Sequence, residues 1–411
     1  MNRTAVLRAI HGAYRASLWP ARQRFERAAV ACERTQEGRL RDLVAANANS
    51  AYGRAHRFAS INSVRDWQDQ IPIVHYEELE PWVKRAAAGE ERVLTEAPVR
   101  IFERTSGSTA PTKLVPYTDA LLSEFGAATG PWLQDLYTSI PALRGTRSYW
   151  SISPATRGRE HTAGGTPIGF EDDTEYFSPF ARVAIRMMLA VPPNVARIVD
   201  IADWRRATVR HLAGAEDLGL ISVWHPSFLT LLLRDIAARL DEVLAELPRT
   251  RAQSIKSRLD RHTLGEALWP RLAVVSCWAD GPAKDAIATL QAELPHARVQ
   301  PKGLLATEGV VSIPLMEGEV SRSVAAITSH FLEFADIEHP SSRPLLAHEL
   351  QVGATYAPII STGGGFYRYR LGDAVRCYGR YQQAPLLRFM GRIDQVSDLC
   401  GEKLNAVQVG A

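Results

Sequence analysis

Residues 272–309 read LAVVSCWADGPAKDAIATLQAELPHARVQPKGLLATEG, and this stretch decides the fold class. The apolar run from Leu272 to Ser276 predicts a strand, the spacing from Lys284 to Leu294 a helix, and Val299 a second strand leading into the turn region Gly303 to Gly309. Strand, helix and strand of these lengths make a βαβ unit. The expected fold is therefore α/β: a large layered domain of mostly parallel sheets flanked by helices. In such sheets ligands gather at the loops leaving the carboxyl ends of the strands. Lys302 to Leu305 extends the pattern as a buried strand, which would put Thr307 and Glu308 at such an end.

Outward from this unit, Leu229, Leu232, Leu233, Ile236, Leu240, Val243, Leu244 and Leu247 recur at three-to-four spacing, predicting one amphipathic helix stopped by Pro248. At the start of the chain, Arg3, Arg8, Arg15, Arg22, Arg24 and Arg27 face a single acid, Glu26, before Val30. Two readings of that segment stand, an organellar transit peptide or an amphipathic opening helix with Val6, Ile10 and Tyr14 on one face, and the helix is favoured. No internal repeat or low-complexity linker breaks the chain.

With 411 residues, 46% hydrophobic and 23% charged, the chain can bury a substantial core, and disorder, collagen-like sequence and coiled coil are excluded. The net charge of +3 is spread along the sequence, not gathered into the footprint of a nucleic-acid binder. The most apolar run, Ile221 to Leu233, is interrupted by His225 and Pro226 and falls short of the roughly 20 residues of a membrane helix. Cys32, Cys277, Cys377 and Cys400 lie far apart, without zinc-ligand or disulfide spacing, so a reducing, cytoplasmic setting is expected.

A strand from Val99 to Arg104 leads into Thr105-Ser106-Gly107-Ser108-Thr109-Ala110-Pro111-Thr112-Lys113, then Leu114-Val115-Pro116-Tyr117-Thr118. Polyphosphate binding calls for closely approaching backbone N–H groups, hydroxyl donors and a cation, and this loop carries all three. Gly107 and Lys113 have the separation found in a P-loop, but Thr112 and Leu114 replace its second glycine and its hydroxyl residue, which rules that class out. Lysine is rare among the 48 basic residues, which singles out Lys113. Taken alone, the segment reads first as a Ser/Thr-rich surface turn.

Ser106 to Lys113 with Val115 to Thr118 resembles the first signature of the GH3 family of acyl-acid amido synthetases, a branch of the adenylate-forming enzymes. Ile221 to Thr230, Ser276 to Gly281, Ala306 to Gly309, Gly365 to Asp373, and Gly391-Arg392 agree with further family segments in the family's order. The resemblance covers the chain from about Arg100 to Lys403 and implies the large N-terminal domain of that superfamily over residues 1–395. Residues 396–411 would be the hinge and the start of a carboxy-terminal lid that the chain does not continue into. The implied enzyme is a ligase that uses ATP and Mg²⁺ to activate a small-molecule carboxylic acid as its acyl-adenylate, then forms an amide with an amino acid. A coenzyme A acceptor, or an ATP-binding module without turnover, remains open beside it.

Carried onto this chain, the resemblance implies nucleotide contacts from Ser106, Gly107, Ser108, Thr109, Lys113, Leu304, Leu305, Ala306, Thr307, Asp373 and Arg392. Lys113, Thr307, Glu308 and Arg392 would be catalytic, with Glu308 on the metal. The chemistry suits these roles. A carboxylate at a turn can hold Mg²⁺ against phosphates, an aspartate can accept both ribose hydroxyls, and a guanidinium reaches ribose or phosphate with a planar fork. Leu304 to Ala306 would flank the adenine with apolar contact and backbone hydrogen bonds. Arg368, Arg370 and Arg376 read as outward strand residues or ion-pair partners. For the acyl pocket the candidates are Trp224, Phe228 and Trp278, with His225 and the Gly164 to Phe170 stretch beside them, although core packing competes for most of these. His225 reads as structural.

Overall fold

In the computed structural model, which describes residues 2–105, 113–151, 160–169, 186–318 and 320–393, the predicted βαβ unit is present. Strand Val274–Cys277 passes through a short turn of helix, Gly281–Lys284, into helix Asp285–Glu293 and returns as Arg298–Pro301, pairing parallel to the first strand. Two more parallel strands complete a four-stranded sheet in the order Arg147–Trp150, Leu218–Ser222, Val274–Cys277, Arg298–Pro301. Val274, Val275 and Cys277 are fully buried, as expected for a strand covered on both faces.

That is the only one of the three described sheets that is parallel throughout. The largest has eight strands, runs from Ser312–Glu317 to Ala384–Arg392, and is antiparallel at every pairing. The third joins Ile101–Arg104 to Leu114–Tyr117 antiparallel and to Pro167–Ile168 parallel. The expectation of mostly parallel sheets thus holds for one layer of a mixed α/β architecture. Hairpins such as Ser312–Glu317 with Val320–Ala325 carry an alternation too short to reveal their sense from sequence.

Three local expectations shift. The strand placed at Lys302 to Leu305 ends at Pro301, and beyond it Leu305 makes only an isolated bridge to Val310. The long amphipathic helix is two helices, Pro226–Ala238 and Leu240–Ala245, because Arg239 leaves helical geometry at φ −124°, ψ 32°. Its leucines are core as predicted: Leu229, Leu233 and Ile236 are almost wholly buried in a cluster around the parallel sheet. Of the two readings of Arg368 the ion-pair one holds and the outward one does not. The residue is buried, and its guanidinium donates twice to Glu333 at 3.0 Å and once each to the carbonyls of Gln68 and Ile71.

The opening segment is one helix, Arg3–Val30, capped by the Asn2 side chain, with Leu7, Tyr14, Phe25 and Ala29 in the main core. It packs on the helix Asp119–Ser139. At the crossing a Cβ on Gly130 would lie 3.0 Å from the Ala21 methyl, so a larger residue there would push the helices slightly apart. The amphipathic reading of residues 3–30 is the one realised. Among the described residues no helix is long and apolar enough to cross a membrane.

Candidate functional site

The loop 302–309 leaves the last parallel strand and turns on Ala306 to Gly309, closed by Ala306 N–H to the Gly309 carbonyl at 2.9 Å and Gly309 N–H to the Ala306 carbonyl at 3.2 Å. Tyr117, at the end of the strand following Lys113, donates its hydroxyl to the Thr307 carbonyl at 2.6 Å. That bond ties the first candidate motif to the second. Glu308, half-buried on the turn, meets the Tyr369 hydroxyl at 3.4 Å, which ties in the third.

Electrostatics confirm the convergence. Burial pushes the Glu308 carboxyl above its ordinary range and the charge of Asp373 adds to the rise, while its own backbone N–H, the Lys113 ammonium and the Tyr369 hydroxyl pull it back. Burial, then Glu308, push the Tyr369 phenol far up, so it stays a proton donor. Lys113 holds its ammonium 5.3 Å from the centre of the Tyr76 ring, and Tyr76 is itself pinned by the Leu114 N–H at 2.8 Å.

Asp373 opens the strand Asp373–Tyr381 and stands in register opposite Arg392, the last residue of Ala384–Arg392. The Arg392 guanidinium donates 3.0 Å to the Asp373 carboxylate and 3.1 Å to the Leu371 carbonyl. Gly372 makes room: its φ is +78°, and a Cβ there would lie 3.1 Å from an Arg392 nitrogen. Asp373 is 9% exposed and Arg392 53% exposed, so the pair points a half-free fork outward from a buried acid.

Lys113, Thr307, Glu308, Asp373 and Arg392 therefore come together. Ser106, Gly107, Ser108 and Thr109 lie outside the described residues, as do Phe170, Cys400 and the hinge expected from residue 396 onward. Leu304, Leu305 and Ala306 are half-buried against the main core. The N–H groups of Leu304 and Ala306 are already bonded, to Ser312 Oγ and the Gly309 carbonyl, so from those two residues it is apolar contact that is left to offer a ligand.

The aromatic candidates divide. Trp224, two residues past the strand Leu218–Ser222, and Trp278, directly after Val274–Cys277, are 46% and 41% exposed, with ring centroids 5.7 Å apart. Lys302, following the next strand, is buried with its ammonium 4.3 Å from the Trp224 ring centre. These three crown the carboxyl ends of adjacent parallel strands. Phe228, partly buried, packs against the core around the parallel sheet. His225 caps the helix Pro226–Ala238 by accepting from the Ser227 N–H, as the structural reading expects. Tyr76, Tyr117, Tyr369 and Lys302 were not singled out from sequence. Of these, Tyr117 and Tyr369 lay inside quoted motifs.

Residues 21–236 match the model of the GH3 family N-terminal domain, and residues 323–392 that of the GH3 family central domain. The chain belongs to the GH3 family. Among curated GH3 relatives, the probable indole-3-acetic acid-amido synthetase GH3.12 of Oryza sativa subsp. japonica is 23% identical over 90% of this chain and 70% of that protein. The indole-3-acetic acid-amido synthetase GH3.15 of Arabidopsis thaliana is 22% identical over 87% of this chain and 67% of its own length. The solved structure of AtGH3.15 acyl acid amido synthetase in complex with 2,4-DB superposes with a TM-score of 0.80 at 18% identity, covering 92% of this chain and 71% of the other. The fold is thus that of a GH3 acyl acid amido synthetase.

Proposed function

We propose that this GH3 protein is an ATP-dependent ligase that activates a small-molecule carboxylic acid as its acyl-adenylate and transfers the acyl group to an amino acid. The observation that carries this reading is the meeting of Lys113, Thr307, Glu308, Asp373 and Arg392, drawn from separate stretches of chain, around one half-buried carboxylate. The amide-forming half is supported by the plant relatives, which are named as indole-3-acetic acid-amido synthetases. The buried, unpaired thiols of Cys32, Cys277 and Cys377 support a reducing, cytoplasmic setting.

In the first half-reaction an oxygen of the substrate carboxylate attacks the α-phosphorus of ATP, and the bond to pyrophosphate breaks. Lys113 holds phosphate charge, and Thr307 donates to the α-phosphate. Asp373 accepts the ribose hydroxyls, and Arg392 spans ribose and phosphate. Ser106, Gly107, Ser108 and Thr109 line the phosphates, while Leu304 to Ala306 flank the base. Trp224 and Trp278 form an apolar wall for the acid. No side-chain nucleophile is required, and the protein's work is position and charge. In the second half-reaction the amine attacks the acyl carbon, AMP leaves, and the nitrogen gives up a proton.

No group of three or more metal-ligating side chains exists among the described residues. The donor set nevertheless fits Mg²⁺, which commonly takes one or two carboxylates and completes its shell with phosphates and water. The neighbouring charge of Asp373 already raises the cost of ionising Glu308 there. Glu308 is the residue that would hold the ion, and the ion would neutralise phosphate charge.

The test is exchange of labelled pyrophosphate into ATP across aryl, indolyl and fatty acids, which asks for chemistry without the second substrate. Exchange that depends on one class of acid is expected, and no exchange with any acid by folded protein overturns the reading. Product mass spectrometry then chooses the acceptor: acyl-CoA without any amide would replace the amino acid by coenzyme A.

A further inference from the structure

Glu308 belongs to a turn whose support reaches deep into the protein. Beneath it lies His330, fully buried, whose Nδ1 is 2.9 Å from Glu124 Oε2. The same carboxylate oxygen accepts the Gly363 N–H at 2.9 Å, and the other oxygen accepts from Arg39 at 2.8 Å. Glu124 therefore joins the ring under the Glu308 turn to the 362–365 turn that leads to Tyr369, which meets Glu308 from the opposite side.

His330 Nε2, buried, has no hydrogen-bond partner. An apolar side chain would fill such a place without leaving a polar atom unmet, so this ring carries a cost that asks for a reason. The nearest neighbour supplies one. A Cβ on Gly309 would stand 2.9 Å from Nε2 and 3.2 Å from Cδ2 of His330. Gly309 has no positive φ, so its backbone would accept alanine, and it is the neighbouring side chains, His330 foremost, that exclude one. The ring cannot swing away cheaply, because Glu124 holds Nδ1 and Phe125 packs edge-on at 6.0 Å. Phe125 in turn stacks on Tyr117 at 5.7 Å, the residue that pins Thr307.

We propose that His330, oriented by Glu124, is a positioning residue for Glu308: its ring is the seat on which Gly309 rests, and it fixes the turn against the Tyr369 face. This rests on the functional reading above. It adds that the glycine of the Thr307-Glu308-Gly309 turn is required by a histidine just ahead of the strand Phe331–Asp336, not by the turn itself.

The experiment is a cycle of Gly309→Ala, His330→Asn and the double variant, read by acid-dependent pyrophosphate exchange and by hydrogen exchange over residues 304–311. Asparagine can keep the donor toward Glu124 while withdrawing the ring edge from Gly309. A displacement of the catalytic carboxylate by about 1 Å commonly costs on the order of 100-fold in rate. Gly309→Ala should therefore lose about 100-fold in kcat with the KM for ATP little changed. His330→Asn should lose about 10-fold, and the double variant should regain about 10-fold over Gly309→Ala alone. Amides of 304–311 should exchange faster in each single variant and slow again in the double. Wild-type turnover in Gly309→Ala, or losses that multiply in the double variant, would overturn the seat. If the wild-type protein exchanges pyrophosphate with no acid, the functional reading falls, and the hydrogen-exchange cycle still decides the seat: unchanged exchange in Gly309→Ala refutes it.

Discussion

Two arginine–carboxylate pairs contribute to the same antiparallel sheet and are built in opposite ways. Arg368 and Glu333 have side chains 4% and 1% exposed, and they share two bonds of 3.0 Å. The guanidinium also serves two backbone carbonyls, and the carboxylate also accepts from Trp67 and Gln68. Arg392 and Asp373 share one bond of 3.0 Å, with the arginine half in solvent. A closed pair has nothing left to give a ligand and acts as structure. An open pair, next to a carboxylate whose ionisation is opposed by burial, leaves guanidinium donors turned to solvent.

The comparison breaks most readily at its closed end. Removing one partner of a buried ion pair strands the other charge, typically at about 3–5 kcal/mol. Glu333→Gln is expected to lose that much in urea unfolding, and a loss under about 1 kcal/mol would show the pair to be no more than a surface bridge. At the open end, Lys113→Ala should leave the melting temperature almost unchanged, since its ammonium rests over Tyr76 and acts on Glu308 by charge without being part of a closed pair. Pyrophosphate exchange should nevertheless fall by about 100 to 1,000-fold. If the melting temperature falls with the rate, Lys113 belongs with the closed pair.

His11 offers a third environment, closed but uncharged. Burial lowers its pKa from 6.5 to about 4, and its Nδ1 accepts the Gly145 N–H. Because the folded value lies below the unfolded one, the unfolded chain takes up the proton first as pH falls. Stability present above 6.5 is then lost down to about 4, by about 3 to 4 kcal/mol. His11→Asn should show a smaller loss over that window. An identical pH profile would place the acid sensitivity elsewhere.

The smallest expected effect has the opposite sign. The folded Glu308 pKa is raised, so its contribution to stability is full below the ordinary carboxyl value and is lost as pH rises through the folded one. At neutral pH Glu308→Gln should therefore melt about 2 °C higher while losing exchange activity, and the gain should vanish in acid. A variant that melts lower at neutral pH would mean that the ligand-free site is already compensated.

What could be seen in sequence follows from how each feature is encoded. The βαβ unit at 274–301 was legible because helix and strand periods alternate within one short span. The break at Arg239 was not, since the apolar spacing continues across it. Lys113, Glu308, Asp373 and Arg392 were legible through motif resemblance, but their meeting depends on Tyr117 and Tyr369, whose hydroxyls act across long sequence separations. The buried fate of Arg368 was hidden for the same reason: its partner Glu333 comes from another strand, and no local pattern links them. For the acyl-pocket candidates Trp224 and Trp278 core packing competed in sequence, and only the adjacent strands show them side by side and exposed.

The central claim is that motifs separated along the chain form one nucleotide site around Glu308 and Asp373. Titration calorimetry of ATP with and without Mg²⁺, on the wild-type protein and on Glu308→Gln and Asp373→Ala, tests it most directly. The account predicts Mg²⁺-dependent binding by the wild type, weakened at least about 10-fold in each variant by loss of a charge-assisted contact. Folded wild-type protein that binds no ATP, or binding that neither variant changes, would contradict it.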